Sequence, residues 1–194
     1  VVSLGLFVEP LARWIRQLKY DGRAEVASPL GTLLAWAVEA RLGPPRPLWP
    51  QPATVVVPVP LHPDRLAHRG YNQAELIGQA LAEALDLPLE TGLIERRRAG
   101  DPQAGRSQHD RHRAVETAFA PHRSTLLRRP LTTRHAVTAL LVDDVLTTGA
   151  TIDACARALR QCGVRTVYGA VVAAGVPRRL WGTYPHVAHS THDV

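Results

Sequence analysis

Residues 140–151 read LLVDDVLTTGAT, and their order decides the architecture. The continuous apolar run Ala136 to Val142 (AVTALLV) has the pattern of a strand buried on both faces. It delivers Asp143 and Asp144 to its C-terminal end, and the loop Leu146 to Ala150 leads straight into a helix. That helix is predicted over Thr151 to Cys162, with Ile152, Cys155, Ala156, Leu159 and Cys162 on one face and Gly163 as its stop. Ligands of open α/β sheets bind outside such strand ends. A tight loop of small residues lets backbone amides and the helix dipole surround a phosphate, with hydroxyls from Thr147, Thr148 and Thr151 beside Gly149 and Ala150. Adjacent side chains on a strand point to opposite faces, so Asp143 and Asp144 can serve one ligand only where the strand is already turning. There they would accept from a pair of vicinal hydroxyls. Phosphate at the helix and diol at the carboxylates describe a ribose 5-phosphate binder.

Working outward, Thr166 to Ala174 (TVYGAVVAA) is the next buried strand, and Thr54 to Val59 (TVVVPV) an earlier one ended by Pro58 and Pro60. Asn72 opens a helix, with Glu75 three positions on and a stripe of Leu76, Ile77, Ala80, Leu81, Ala84 and Leu85. Leu89 to Arg97 reads as a further strand. Ahead of the first strand lie helices over Pro10 to Tyr20 and Pro29 to Leu42, then a stiff run with prolines at 44, 45, 47, 50 and 52. Alternating strands and helices predict an α/β fold with a largely parallel central sheet flanked by helices. The division expected is an N-terminal helical segment with Pro-rich connector over 1–53, a core over 54–176 and a tail over 177–194.

The 194 residues, 45% hydrophobic and 21% charged, suffice for one sizeable core. The apolar start VVSLGLF has neither a positive flank nor a cleavage site, and no run reaches the roughly 18 apolar residues of a membrane span, so a cytoplasmic protein is expected. Cys155 and Cys162 lie seven apart on a helix, about 10 Å along its axis, too far for a disulfide. The net charge is +6, and residues 96–134 alone hold ten arginines against three acids, a net of +7. Such a concentration fits a polyanion, either a polyphosphate or a nucleic acid.

The stretch Val142 to Thr151 resembles the phosphoribosyl pyrophosphate (PRPP) loop of the type I phosphoribosyltransferases at every position. Three further motifs, LKYDGR (18–23), PVPLHPDRLAHRGYNQAE (58–75) and Gln103 with Arg111 and Ala118-Phe119, narrow the resemblance to the ComF-like proteins associated with bacterial competence and DNA uptake. The resemblance implies a type I phosphoribosyltransferase-like fold. It implies that the loop after the first core strand receives pyrophosphate, with Gly70 allowing close backbone approach and the guanidinium forks of Arg65 and Arg69 supplying charge. It makes Arg96 to Arg113 a mobile loop that closes over the site, with Arg98, Gln103 and Arg111 as its candidate contacts. Lys19, the single lysine of the chain, falls in LKYDGR and is a candidate to reach the site. Many ComF-like proteins carry a four-cysteine zinc ribbon ahead of this motif; a short form and a chain numbered from after it both stay open. Ala114 stands where the family usually shows Asn.

The implied ligands are PRPP and Mg²⁺, the metal held mainly through the phosphates. If the site is catalytic, a nucleophile displaces pyrophosphate from the anomeric carbon, with Asp143 and Asp144 as catalytic residues beside the developing positive charge. Three functions stay open: a transferase of unnamed acceptor, a competence factor handling single-stranded DNA alongside helicase machinery, and a PRPP sensor. The oligomeric state is not expressed in the sequence.

Overall fold

The computed structural model describes residues 1–43, 54–97, 118–123 and 137–175. Its centre is a four-stranded sheet of order β1-β6-β5-β2, parallel at every pairing. The strands are β1 (Val2–Leu6), β2 (Thr54–Pro58), β5 (Val137–Leu146) and β6 (Val164–Ala174). A separate antiparallel ribbon joins β3 (Ile94–Arg96) to β4 (Phe119–Pro121). The helices are α1 (Leu11–Tyr20), α2 (Ala27–Leu42), α3 (Pro63–Arg69), α4 (Gln73–Leu85) and α5 (Ala150–Gln161).

The alternation of β5 builds two cores. Leu140 and Val142 face α1, α2 and α4 through Ile15, Leu18, Leu30, Leu34, Ile77 and Leu81. Ala139 and Leu141 face α5 and the ribbon through Cys155, Leu159, Ile94 and Phe119. The run from 139 to 142 is fully buried between the two layers, which is why it carries no polar side chain.

Three features depart from the sequence reading. The N-terminal residues read as a helical segment also supply β1, an edge strand in register with Ala170 to Ala174, so the sheet spans the 53/54 boundary. The stretch read as loop after β2 contains α3, with the His62 Nδ1 atom accepting from Asp64 N–H, Pro63 at the first helical position, and Gly70 in the left-handed region at φ 85°. The strand expected over Leu89 to Arg97 is reduced to β3, while Leu89 makes an isolated parallel bridge to Val56. There Val56 N–H donates to the Pro88 carbonyl and the Val56 carbonyl accepts from Glu90 N–H, each at 2.8 Å. The proline run at 44–52 and the tail at 177–194 lie outside the described residues.

The crossing of α2 and α4 depends on Gly31. A Cβ there would stand 2.5 Å from the Ile77 carbonyl oxygen and 2.6 Å from the Ala80 Cβ. The obstacle includes backbone, which cannot swing aside as a flexible side chain would. Gly31→Ala gains up to ~1 kcal/mol of helix propensity and is expected to lose more, on the order of 1–3 kcal/mol, through overpacking. A urea denaturation midpoint at or above that of the wild type would show that the helices can separate without cost.

Candidate functional site

Strand β5 does not turn at its two carboxylates, as the sequence reading required, but continues in register through Asp143↔Val171 and Val145↔Ala173 to Leu146. The alternation therefore holds through the pair, and the two side chains leave opposite faces of the strand. Asp144 follows Leu140 and Val142 to the face of α1, where the Lys19 Nζ atom stands 3.1 Å from its Oδ2. The two side chains are 12% and 6% exposed. This ion pair lacks hydrogen-bond geometry, so Asp144 Oδ2 is a buried acceptor without a hydrogen-bond donor. Asp143 follows Leu141 to the face of α5, and its Oδ1 accepts from the Asp144 N–H at 2.9 Å.

The electrostatics of the two carboxylates differ accordingly. Asp143 keeps part of its surface open, yet burial, and after it the Asp144 charge, push its carboxyl up to about 7. The Asp144 N–H, Lys19 and Arg96 pull the other way without cancelling the rise. Arg96, on β3, has its guanidinium 5.3 Å from the centre of the Phe119 ring and its Nε buried without a hydrogen-bond partner. Burial and then the Arg65 charge lower its proton affinity, while Cys155 and Asp143 oppose that shift. Burial likewise raises the Cys155 thiol well above its usual range. Arg65 and Asp143 thus both act on Arg96, with opposite sign.

Past Leu146 the chain makes the expected loop. Gly149 adopts φ 84° as the N-cap of α5, a conformation costly for a residue with a Cβ. Thr147 and Thr148 are exposed, and Gly149, Ala150 and Thr151 are half-buried. The Thr148 Oγ1 atom accepts from Ala150 N–H at 3.4 Å. The Leu146 carbonyl accepts from Gly175 N–H at 2.7 Å, tying the loop to the end of β6. The first amides of a twelve-residue helix therefore open beside the Asp pair.

The motif LKYDGR meets RGYNQ at the same end of the sheet. Tyr71 Oη donates to the Leu18 carbonyl at 2.6 Å, and Arg69 lies 5.9 Å from the centre of the Tyr20 ring while its guanidinium also donates to Gln73 Oε1. Asn72 caps α4 by accepting from Ala74 N–H at 3.1 Å and donates to the Val59 carbonyl at 3.0 Å. Gly70 is required for its left-handed turn, since open space surrounds its Cβ position. Lys19 therefore reaches the Asp pair, Arg65 acts on Arg96 beside it, and Arg69 is held against Tyr20 and Gln73. Arg98, Gln103 and Arg111 lie outside the described residues. Arg96, the first residue of the expected mobile loop, is instead the last residue of β3. Its alternation with Ile94 across Glu95 was the available signal, obscured by the following two arginines.

The family profile of the phosphoribosyl transferase domain matches residues 72–189. Competence protein F of Haemophilus influenzae is 31% identical over 167 residues, covering 86% of this chain and 69% of that protein. DNA utilization protein YhgH of Escherichia coli K12 is 34% identical over 167 residues, covering 86% and 68%. Competence protein ComFC of Bacillus subtilis is 31% identical over 116 residues, covering 60% and 42%.

The raised Asp143 carboxyl has a consequence for stability with a fixed sign. The unfolded carboxyl titrates near 3.9, so between about pH 4 and pH 7 the native state holds a proton that the unfolded chain has lost. That contribution favours the fold fully below pH 4, fades as pH rises, and is gone above about pH 7. Asp143→Asn keeps an oxygen for the Asp144 N–H and removes the titration. Its gain in urea stability over the wild type is expected to be larger at pH 8 than at pH 5. An equal or smaller gain at pH 8 would contradict the assignment.

Proposed function

Because the chain belongs to the competence protein F family of phosphoribosyl transferase domain proteins, we propose that it binds PRPP with Mg²⁺ at the end of β5 and works in DNA uptake in the cytoplasm. One observation carries the proposal: Asp144, buried and paired with Lys19, stands with Asp143 shortly before a glycine-opened helix N-terminus. A ribose 5-phosphate needs acceptors for two hydroxyls and donors for one phosphate, and these are that pair. The names of the relatives, competence protein F and DNA utilization protein, support the cellular role.

In this reading one ribose straddles the end of β5, which stops at Leu146, so that Asp143 and Asp144 each take one hydroxyl from opposite faces of the strand, and residues 147–151 hold the 5-phosphate through backbone N–H groups and threonine hydroxyls. Arg65 and Arg69 supply charge toward pyrophosphate. Mg²⁺, when bound, would be held chiefly through the substrate and would neutralise charge on the pyrophosphate. In a catalysed transfer the bond from the anomeric carbon to pyrophosphate breaks and its electron pair leaves with the pyrophosphate. The new bond forms to an acceptor nucleophile, whose proton passes to solvent. The two carboxylates place negative charge beside the positive charge that develops on the ribose. A non-catalytic factor that binds single-stranded DNA in response to PRPP would share the binding step and omit the displacement.

Calorimetric titration of Mg²⁺ and PRPP tests the binding. The wild type is expected to bind, and the folded double variant Asp143→Asn with Asp144→Asn to bind at least about 100-fold more weakly, two charge-assisted hydrogen bonds being lost. A folded wild type that binds no PRPP defeats the proposal. Pyrophosphate release that requires an added acceptor separates transfer from sensing.

A further inference from the structure

Lys19 is carried by the last turn of α1, a helix with no role in the phosphate loop, and yet its ammonium ends within the carboxylate site. Three contacts fix it there. Ile15 and Leu18 are buried on the same helix, the Leu18 carbonyl is held by the Tyr71 hydroxyl, and the next residue, Tyr20, lies against the Arg69 guanidinium. The turn that presents Lys19 is thus clamped on both sides of the residue. At the other end Asp144 is buried, and an ionised carboxylate in such a place is tolerated only beside a compensating charge. The contact falls on Oδ2, so the ammonium compensates the charge of the buried carboxylate at a fixed point.

We propose that Lys19 is a positioning residue of the ribose site: it holds the Asp144 carboxylate in place, and it acts on the ligand through Asp144. The proposal rests on the PRPP reading above and adds the regulation of one of its acceptors. It has a mechanical corollary. The Tyr71 and Arg69 contacts belong to the segment assigned to pyrophosphate, so α1 joins the two halves of the site, and the cation serving the diol is seated by the loop that serves the leaving group.

The test is a double-variant cycle, with Mg²⁺ and PRPP affinity measured by calorimetry for the wild type, Lys19→Met, Lys19→Arg, Asp144→Asn and the pair Lys19→Met with Asp144→Asn. Lys19→Met is expected to weaken binding about 10-fold or more and Lys19→Arg to restore it to within about 3-fold. In the Asp144→Asn background, Lys19→Met is expected to change affinity less than about 2-fold, because nothing is left for it to position. Independent, multiplying losses would overturn the proposal, as would a Lys19→Met protein that binds as well as or better than the wild type. Should Lys19→Met alone fail to fold, the neutral pair, which buries no lone charge, is compared with Asp144→Asn: equal affinity supports the proposal and further loss overturns it. A wild type that binds no PRPP removes the underlying reading, whereas a binding wild type with an indifferent Lys19 removes only this inference.

Discussion

A strand packed on both faces has room for charge only at its ends, and β5 places two carboxylates at one of them. Much of the site follows from that constraint. The same two-residue alternation that sends Leu140 and Leu141 into separate cores sends Asp144 toward α1 and Asp143 toward α5. Each carboxylate then meets a different set of neighbours: Lys19 on one side, Arg96 and Cys155 on the other. Two adjacent acids of identical chemistry acquire different electrostatic characters because a sheet separates them.

The central βαβ unit was legible because its signals are local. An apolar run, a polar loop and a helical stripe around Ile152, Cys155 and Leu159 each announce themselves within a dozen residues, and β5, α5 and β6 fall close to where the pattern puts them. The phosphate loop and its acids were legible for the same reason. What escaped depends on pairing at a distance. Val2 to Leu6 is too short to declare itself, and only its neighbour β6, more than 160 residues away, makes it a strand. Helix α3 did carry a local signal, His-Pro-Asp closed by Gly70, but none of its residues is buried, so no apolar stripe drew attention to it. Lys19 stood out as the single lysine, whereas its partner could be learned only from how α1 docks. The Asp pair was expected at a turn, and hydrogen bonding to β6 keeps the strand extended past it instead.

The docking of α1 also explains why two distant motifs meet. LKYDGR and RGYNQ share a hydrogen bond from Tyr71 to the Leu18 carbonyl and the stacking of Arg69 on Tyr20, one contact on each side of Lys19. Neither contact is large, at about 1 kcal/mol for a hydrogen bond and as much for an exposed cation over a ring. Their value lies in fixing the azimuth of a short helix whose end must be accurate to within an ion-pair distance.

The bridge between Leu89 and Val56 bears on how molecules of this kind remain separate. A parallel sheet that ends in a strand such as β2 offers neighbours a row of free amides and carbonyls, and Val-Val-Val is a sequence prone to accept them. Here Val56 spends both of its backbone groups on residues 88–90, and Pro88 has no N–H with which to continue the ladder outward. The middle of the most adhesive stretch of the sheet is thus covered by its own chain.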